Sequence, residues 1–344
     1  MRSFLKPVAG LSCLLALAVA GCSSATKSSP PEPSSPPSAG SAPSARSTPS
    51  ARSTAFEPYV SATDASAMDA AGSPSTYNLA FVISDGSSCT PKWNGTEAVG
   101  DSAVTARIAA LKQHGATVRV SFGGASGKEL ASVCASASAL AAAYAKALDT
   151  AGATRADFDI EGDELTDTAS VALRSKAIAL LQKERPGLDV SFTLPVMPSG
   201  LDADGKALLE SANDHGVRVS AVNVMTMNYG ESYSGDMGDY AITSAEAAHD
   251  QLADIFGLSS QGAWQGLALT SMIGVNDVSG ETFTLSDAAQ VRAFAERKDL
   301  AWLSMWSTFR DRSCVDGSSS KGDAATNCSG VRQTSGAFGQ AFAG

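Results

Sequence analysis

The chain has 344 residues and a formal charge of −10, from 25 basic and 35 acidic side chains. Removal of Arg2 and Lys6 with an N-terminal signal would take the charge to −12, a balance that excludes partners held through polyanion charge, such as nucleic acid or anionic lipid. A neutral polysaccharide meets no such opposition, and the length suits one α/β barrel of about 250 residues behind an extension, or two modest domains.

In chain order, Arg2 and Lys6 precede an apolar run from Leu11 to Ala20 that is too short to span a bilayer. Val19-Ala20-Gly21-Cys22 follows and resembles a bacterial lipobox, in which the cysteine is lipidated and becomes the mature N-terminus. Ordinary signal cleavage near Ala20 is the alternative. Several acyl chains on Cys22 would anchor the protein stably at the outer face of the membrane, and a membrane contact is expected only through that lipid. Residues 22–54 are dominated by Ser, Pro and Ala without an apolar period. Such a composition cannot bury a core and is expected to act as a tether with a reach of roughly 30 Å.

From Phe56 onward, short apolar runs alternate with helical patterns, and residues 55–344 are expected to form one domain. Strands are predicted at Phe56–Val60, Tyr77–Ile83, Val118–Gly123, Ala156–Glu161, Val190–Leu194, Val222–Met227, Leu267–Ile273 and Leu303–Ser307. Helix ends are marked at Lys112 to Gly115 and at Asn213 to Gly216. Thr284-Leu285-Ser286-Asp287 forms a capping box before a helix buried through Val291 and Phe294. Eight strands with intervening helices predict a (β/α)8 TIM barrel. The first crossover, Ser61–Thr76, holds only a short helical stretch. A doubly wound open sheet is the alternative, but no glycine-rich phosphate loop follows any strand.

Four cysteines remain after export: Cys89, Cys134, Cys314 and Cys328. An even number in an oxidising compartment points to two disulfides, for which three connectivities exist. Cys89–Cys134 and Cys314–Cys328 are the expected pairs, each closing a loop at one end of the fold. No CxxC or HxxxH spacing accompanies them, the histidines are scattered, and neither a metal nor another cofactor is expected.

The informative segment is Ala156-Asp157-Phe158-Asp159-Ile160-Glu161-Gly162. On a strand, Asp157, Asp159 and Glu161 share one face, and Phe158 and Ile160 share the other. In a barrel the apolar pair would meet the outer helices while the carboxylates enter the interior, with Glu161 at the catalytic, C-terminal end. So many carboxyl groups in one partly buried place cannot all ionise cheaply, so at least one should hold a proton near neutrality, as a general acid must. A solvated edge strand is the bland reading, and a closed barrel has no edge.

This segment resembles the strand-four signature of family 18 chitinases, DxxDxDxE. Ser121-Phe122-Gly123-Gly124 resembles their SxGG motif, Met227-Asn228-Tyr229 their Met-x-Tyr, and Trp306 the tryptophan that ends their strand eight. The motifs stand in family order across roughly Phe56 to Arg312. The resemblance implies hydrolysis of β-1,4-linked N-acetylglucosamine polymers such as chitin with retention, the substrate's own acetamido group acting as nucleophile. It assigns Glu161 as general acid, Asp159 to the acetamido N–H, and Asp157 to a shared proton with Asp159. Tyr229 would reach the acetamido oxygen, Trp306 would floor the sugar, and Ser121, Gly123, Gly124, Met227 and Asn228 would line or support the substrate site.

Two departures stand out: the signature's first aspartate falls at Thr154, and Gly230 follows Tyr229 where many members carry Asp or Asn. Met225, Met227 and Met272 read more readily as core than as ligand contacts, Trp302 as barrel filling, and Trp93 as an extension of the groove. Asn276 and Asp277 are open between substrate contact and turn. The short interval between strands seven and eight leaves no room for an extra module, which implies an open groove and endo cleavage; a monomer is expected. The alternatives are an endo-β-N-acetylglucosaminidase acting on N-glycans and a chitin-binding lectin without turnover; retention of Glu161 speaks against the lectin.

Overall fold

A computed structural model describes residues 54–113, 115–315 and 327–344. Cys22, the signal and all of the Ser/Pro/Ala tract but Thr54 lie outside the described residues. The strands are β1 (Ala55–Phe56), β2 (Tyr59–Ser61), β3 (Thr76–Ile83), β4 (Thr117–Gly123), β5 (Arg155–Asp159), β6 (Asp189–Pro195), β7 (Ala221–Met225), β8 (Leu267–Met272) and β9 (Trp302–Trp306). From β3 to β9 each is parallel to the next.

The ring closes through β1 and β2, two halves of the predicted first strand. β1 pairs in parallel with β9, Ala55 opposite Trp302, and β2 pairs in parallel with β3, Tyr59 opposite Asn78. Glu57 and Pro58 separate them. Pro58 has no N–H to give to a ladder, so the ladder breaks there, while its carbonyl accepts from the Asn78 amide at 2.9 Å. The result is a closed barrel, with no α-helix in the first crossover between Ser61 and Thr76.

The outer layer contains α1 (Ser102–Lys112), α2 (Ala137–Ala151), α3 (Thr168–Glu184), α4 (Ala203–Asp214), α5 (Met237–Phe256), α6 (Leu285–Lys298) and, after the last strand, α7 (Ala337–Ala343). Side chains cap the first six: Asp101, Ser136, Asp167, Asp202, Asp236 and Thr284 each accept from a first-turn amide. The capping box at Thr284 and Asp287 is present as read.

Apolar residues concentrate between sheet and helices. Phe122, Phe158 and Phe192 face outward from adjacent strands, with ring centroids 5.3 and 5.7 Å apart, and Tyr144 of α2 meets Phe158 at 5.0 Å. The inward faces are polar. At the barrel floor Arg119 donates to Glu57 at 2.7 Å and to Asn78 at 2.8 Å, and its guanidinium lies 4.1 Å from the Trp302 ring centroid. Trp302 therefore fills the barrel as expected. Trp93 is fully buried, which corrects the expectation that it extends the groove. The disulfides join Cys89 to Cys134 and Cys314 to Cys328, with Cα–Cα distances of 4.6 and 5.1 Å.

Candidate active site

The inward face of β5 carries Arg155, Asp157 and Asp159 in succession from the floor upward, and Glu161 follows two residues beyond the ladder's end. The strand stops at Asp159 rather than Glu161, although the Ile160 amide still donates to the Thr193 carbonyl at 3.0 Å. Gly162 then adopts φ +56°, turning the chain away and leaving Glu161 at the lip.

Asp157 is enclosed and 1% exposed. Its Oδ2 accepts from Tyr59 at 2.9 Å and Ser121 at 2.7 Å; its Oδ1 accepts from Ser191 at 2.7 Å and Thr193 at 2.9 Å. Hydroxyls thus donate to both oxygens of Asp157. Asp159, 4% exposed, has an Oδ1 with no hydrogen-bond partner among the described residues. Burial drives its pKa well above the ordinary carboxyl range, and the neighbouring charges of Glu161 and Asp157 push the same way. Burial also raises Glu161, to about 7. Glu161 is thereby poised to hold and release a proton near neutral pH.

The paired glycines explain how these groups come so close. Gly123 has φ +101°, and a Cβ there would overlap the Asp159 carbonyl oxygen. Gly124, at φ +90°, donates its amide to that same carbonyl at 2.9 Å, and a Cβ on it would meet the Phe81 ring. Ser121, Gly123 and Gly124 therefore hold Asp157 and Asp159 from behind; none of the three lines the cleft.

The cleft at the C-terminal end of the barrel encloses about 370 Å³. Glu161, Asp159, Trp306, Met227 and Asn228 line it as expected, together with Tyr59, Phe81, Thr193, Met225, Met272, Asp202 and Asp277. Phe81 stacks on Trp306 at 5.5 Å with an interplanar angle of 22°, and Tyr59 meets Trp306 edge-on at 5.8 Å. Met225 and Met272, read as core, line the cleft as well. Asn276 belongs to a turn, its Nδ2 donating to the Met272 and Gly274 carbonyls at 2.9 and 3.0 Å, whereas Asp277 borders the cleft.

Tyr229 does not line the cleft, which corrects its assignment to the acetamido oxygen. It is 4% exposed and packs with Tyr233 and Tyr240, and its hydroxyl accepts from Ser244 of α5 at 3.3 Å. Burial raises its pKa far above that of a free phenol. The cleft is reached instead by Met225, Met227 and Asn228. Slid back by two residues, the Met-x-Tyr pattern runs over Met225-Thr226-Met227, and Asn228 takes the following place where Gly230 had looked anomalous.

Tyr59, Phe81, Thr193 and Asn223 were missed. The signal was available: the parity that turns Asp157 and Asp159 inward also selects Ser191 and Thr193 on β6 and Asn223 on β7. Asn223 donates to Thr193 at 3.0 Å and to Thr270 at 2.7 Å, extending the polar network across the barrel.

No protein-family model matches the chain. It is 34% identical over 275 residues to the "Probable bifunctional chitinase/lysozyme" of Escherichia coli (strain K12), covering 74% of this chain and 31% of that protein. It is 32% identical over 275 residues to "Endochitinase 11" of Metarhizium anisopliae, covering 74% of this chain and 52% of that one. The chain thus spans about a third and about half of these relatives' lengths. The catalytic domain of a hyperthermophilic chitinase from Pyrococcus furiosus superimposes with a TM-score of 0.73 at 31% identity, over 84% of this chain and 96% of that one. Another structure from that organism, of catalytic-site mutants complexed with chito-oligosaccharides, gives a TM-score of 0.74 at 32% identity, over 84% of this chain and 93% of that one. The barrel and its cleft define a glycoside hydrolase fold. The chain belongs to the family 18 chitinases.

Proposed function

We propose that the chain is a retaining chitinase that cuts within β-1,4-linked N-acetylglucosamine chains, and that the carboxyl groups of Glu161 and Asp159, which line one cleft with Trp306, carry the reaction. Glu161, holding a proton near neutrality, gives it to the glycosidic oxygen as the bond to the anomeric carbon breaks. The acetamido oxygen of the same sugar attacks that carbon from the opposite face, forming an oxazolinium ion. Asp159, its proton passed to Asp157, accepts the acetamido N–H and offsets the positive charge. Water then attacks the anomeric carbon, gives its proton to Glu161, and restores the original configuration. The hydroxyls around Asp157 fix the strand from which both groups project, and Trp306 floors the ring.

The observation that carries this reading is the convergence of two carboxyl groups with raised pKa and an aromatic platform in one cleft. Endo cleavage is supported by the stretch between β8 and β9, which holds only a hairpin (Gly274–Val275 with Thr282–Phe283) and α6, so no module overhangs the groove. The test is hydrolysis of a fluorogenic chitotrioside by wild type and by Glu161→Gln. Removing the general acid should cost on the order of a hundredfold or more in rate; an unchanged rate refutes the assignment. A parallel assay on a high-mannose glycopeptide separates chitin from N-glycan as substrate. Anchoring through Cys22 is part of the same proposal and is checked by membrane fractionation of the exported protein.

A further inference from the structure

One wall of the cleft is built from two loops, and neither is held by the barrel ladder. The first, Met227 to Gly230, follows β7; the second, Asn276 to Glu281, lies in the hairpin after β8. Met227 and Asn228 of the first and Asp277 of the second line the cleft. The two loops are joined in both directions. Asn228 Oδ1 accepts from the Asp277 amide at 3.1 Å and the Val278 amide at 3.4 Å. In return, Glu281 Oε1 accepts from the Gly230 amide at 2.8 Å. Burial pushes the Glu281 pKa up, and the backbone amides of Gly230, Asn228 and Tyr229 pull it part of the way back.

The backbone of the first loop is shaped for that carboxylate. Asn228 has φ +54° and Gly230 has φ +118°. Left-handed residues bring successive N–H groups onto one concave side, the arrangement that receives an anion. Glu281 is fully buried, so its charge would be costly to hold without such a nest. Asn228 in turn sits in the left-handed region, which asparagine tolerates better than most residues with a side chain.

We propose that Glu281 is a positioning residue for the reaction: from outside the cleft it holds the Met227–Gly230 loop so that Asn228 stands against the bound sugar. This rests on the hydrolase reading above. Glu281 touches no reacting atom and acts only through the loop.

The test is a double-mutant cycle on the chitotrioside assay, using Glu281→Gln, Asn228→Ala and the pair. Each single variant should raise KM on the order of tenfold: Glu281→Gln sets an NH2 donor against the amides of the loop, and Asn228→Ala loses the acceptor of the Asp277 and Val278 amides. The pair should be no worse than Asn228→Ala alone to within about twofold, since Glu281 then has nothing left to position. Multiplication of the two single effects in the pair would overturn the proposal, as would an unchanged KM in Asn228→Ala. That second criterion applies even if Glu281→Gln melts too low to assay. The two readings fail separately: an active Glu161→Gln removes the hydrolase assignment, whereas an inactive Glu161→Gln with a multiplicative cycle removes only the role of Glu281.

Discussion

At the scale of single residues, burial is the dominant influence on the carboxyl groups of the cleft. Glu161 rises from an ordinary 4.5 to about 7 because its charged form loses solvent. Under the proposed mechanism it works while protonated, so kcat/KM should fall as pH rises through about 7, and a fall centred near 4.5 would contradict the assignment. The same shift bears on folding. A carboxyl whose folded pKa is raised contributes stability below its unfolded value, lost as pH rises through the folded one. Glu161→Gln removes that loss, so its melting temperature should exceed wild type by more at pH 8 than at pH 5. The acidic residues were legible in the sequence because strand parity and the family pattern agree on them. The hydroxyls were less so: parity turns Ser191 and Thr193 of β6 inward, but only the closed ring brings them and Tyr59 of β2 to Asp157.

At the scale of elements, the close approach of β4 and β5 depends on residues without side chains. Gly123→Ala would drive a Cβ into the Asp159 carbonyl at a backbone angle that disfavours any side chain. The expected cost is about 1–3 kcal/mol from the backbone alone, read as a lower urea midpoint, with kcat falling alongside because Asp159 is displaced. Wild-type activity in that variant would mean that the ladder can yield without moving the site. Strand positions were legible to within a few residues, and the helix start at Thr284 fully so. The loop after β7 was not. Its Met-Asn-Tyr offers two readings of one pattern, and the choice between them rests on Ser244, a helix away in sequence, which takes the Tyr229 hydroxyl out of the cleft.

At the scale of the whole molecule, the barrel closes across a proline break, and the charged layer at its floor makes that closure costly to disturb. Glu57 is 5% exposed and Arg119 is 1% exposed, so Glu57→Ala strands a buried cation. Losing one member of such a pair costs about 3–5 kcal/mol, which chemical denaturation would measure. Activity below the new melting point should persist, because the cleft lies at the other end of the strands. A barrel was legible from the alternation of strands and helices. The split first strand was less so: Pro58 marks the break, but its two partners, β9 and β3, are known only once the ring is formed.

The sealed floor also governs how the site resets. With Arg119 wedged among Glu57, Asn78 and Trp302, the barrel is a blind well whose mouth is its one route for traffic. A polymer cannot thread through it and must drape across the rim. Under the proposed reaction, Glu161 regains its proton from the hydrolytic water, which reaches the anomeric carbon only after the departing fragment has left through that opening.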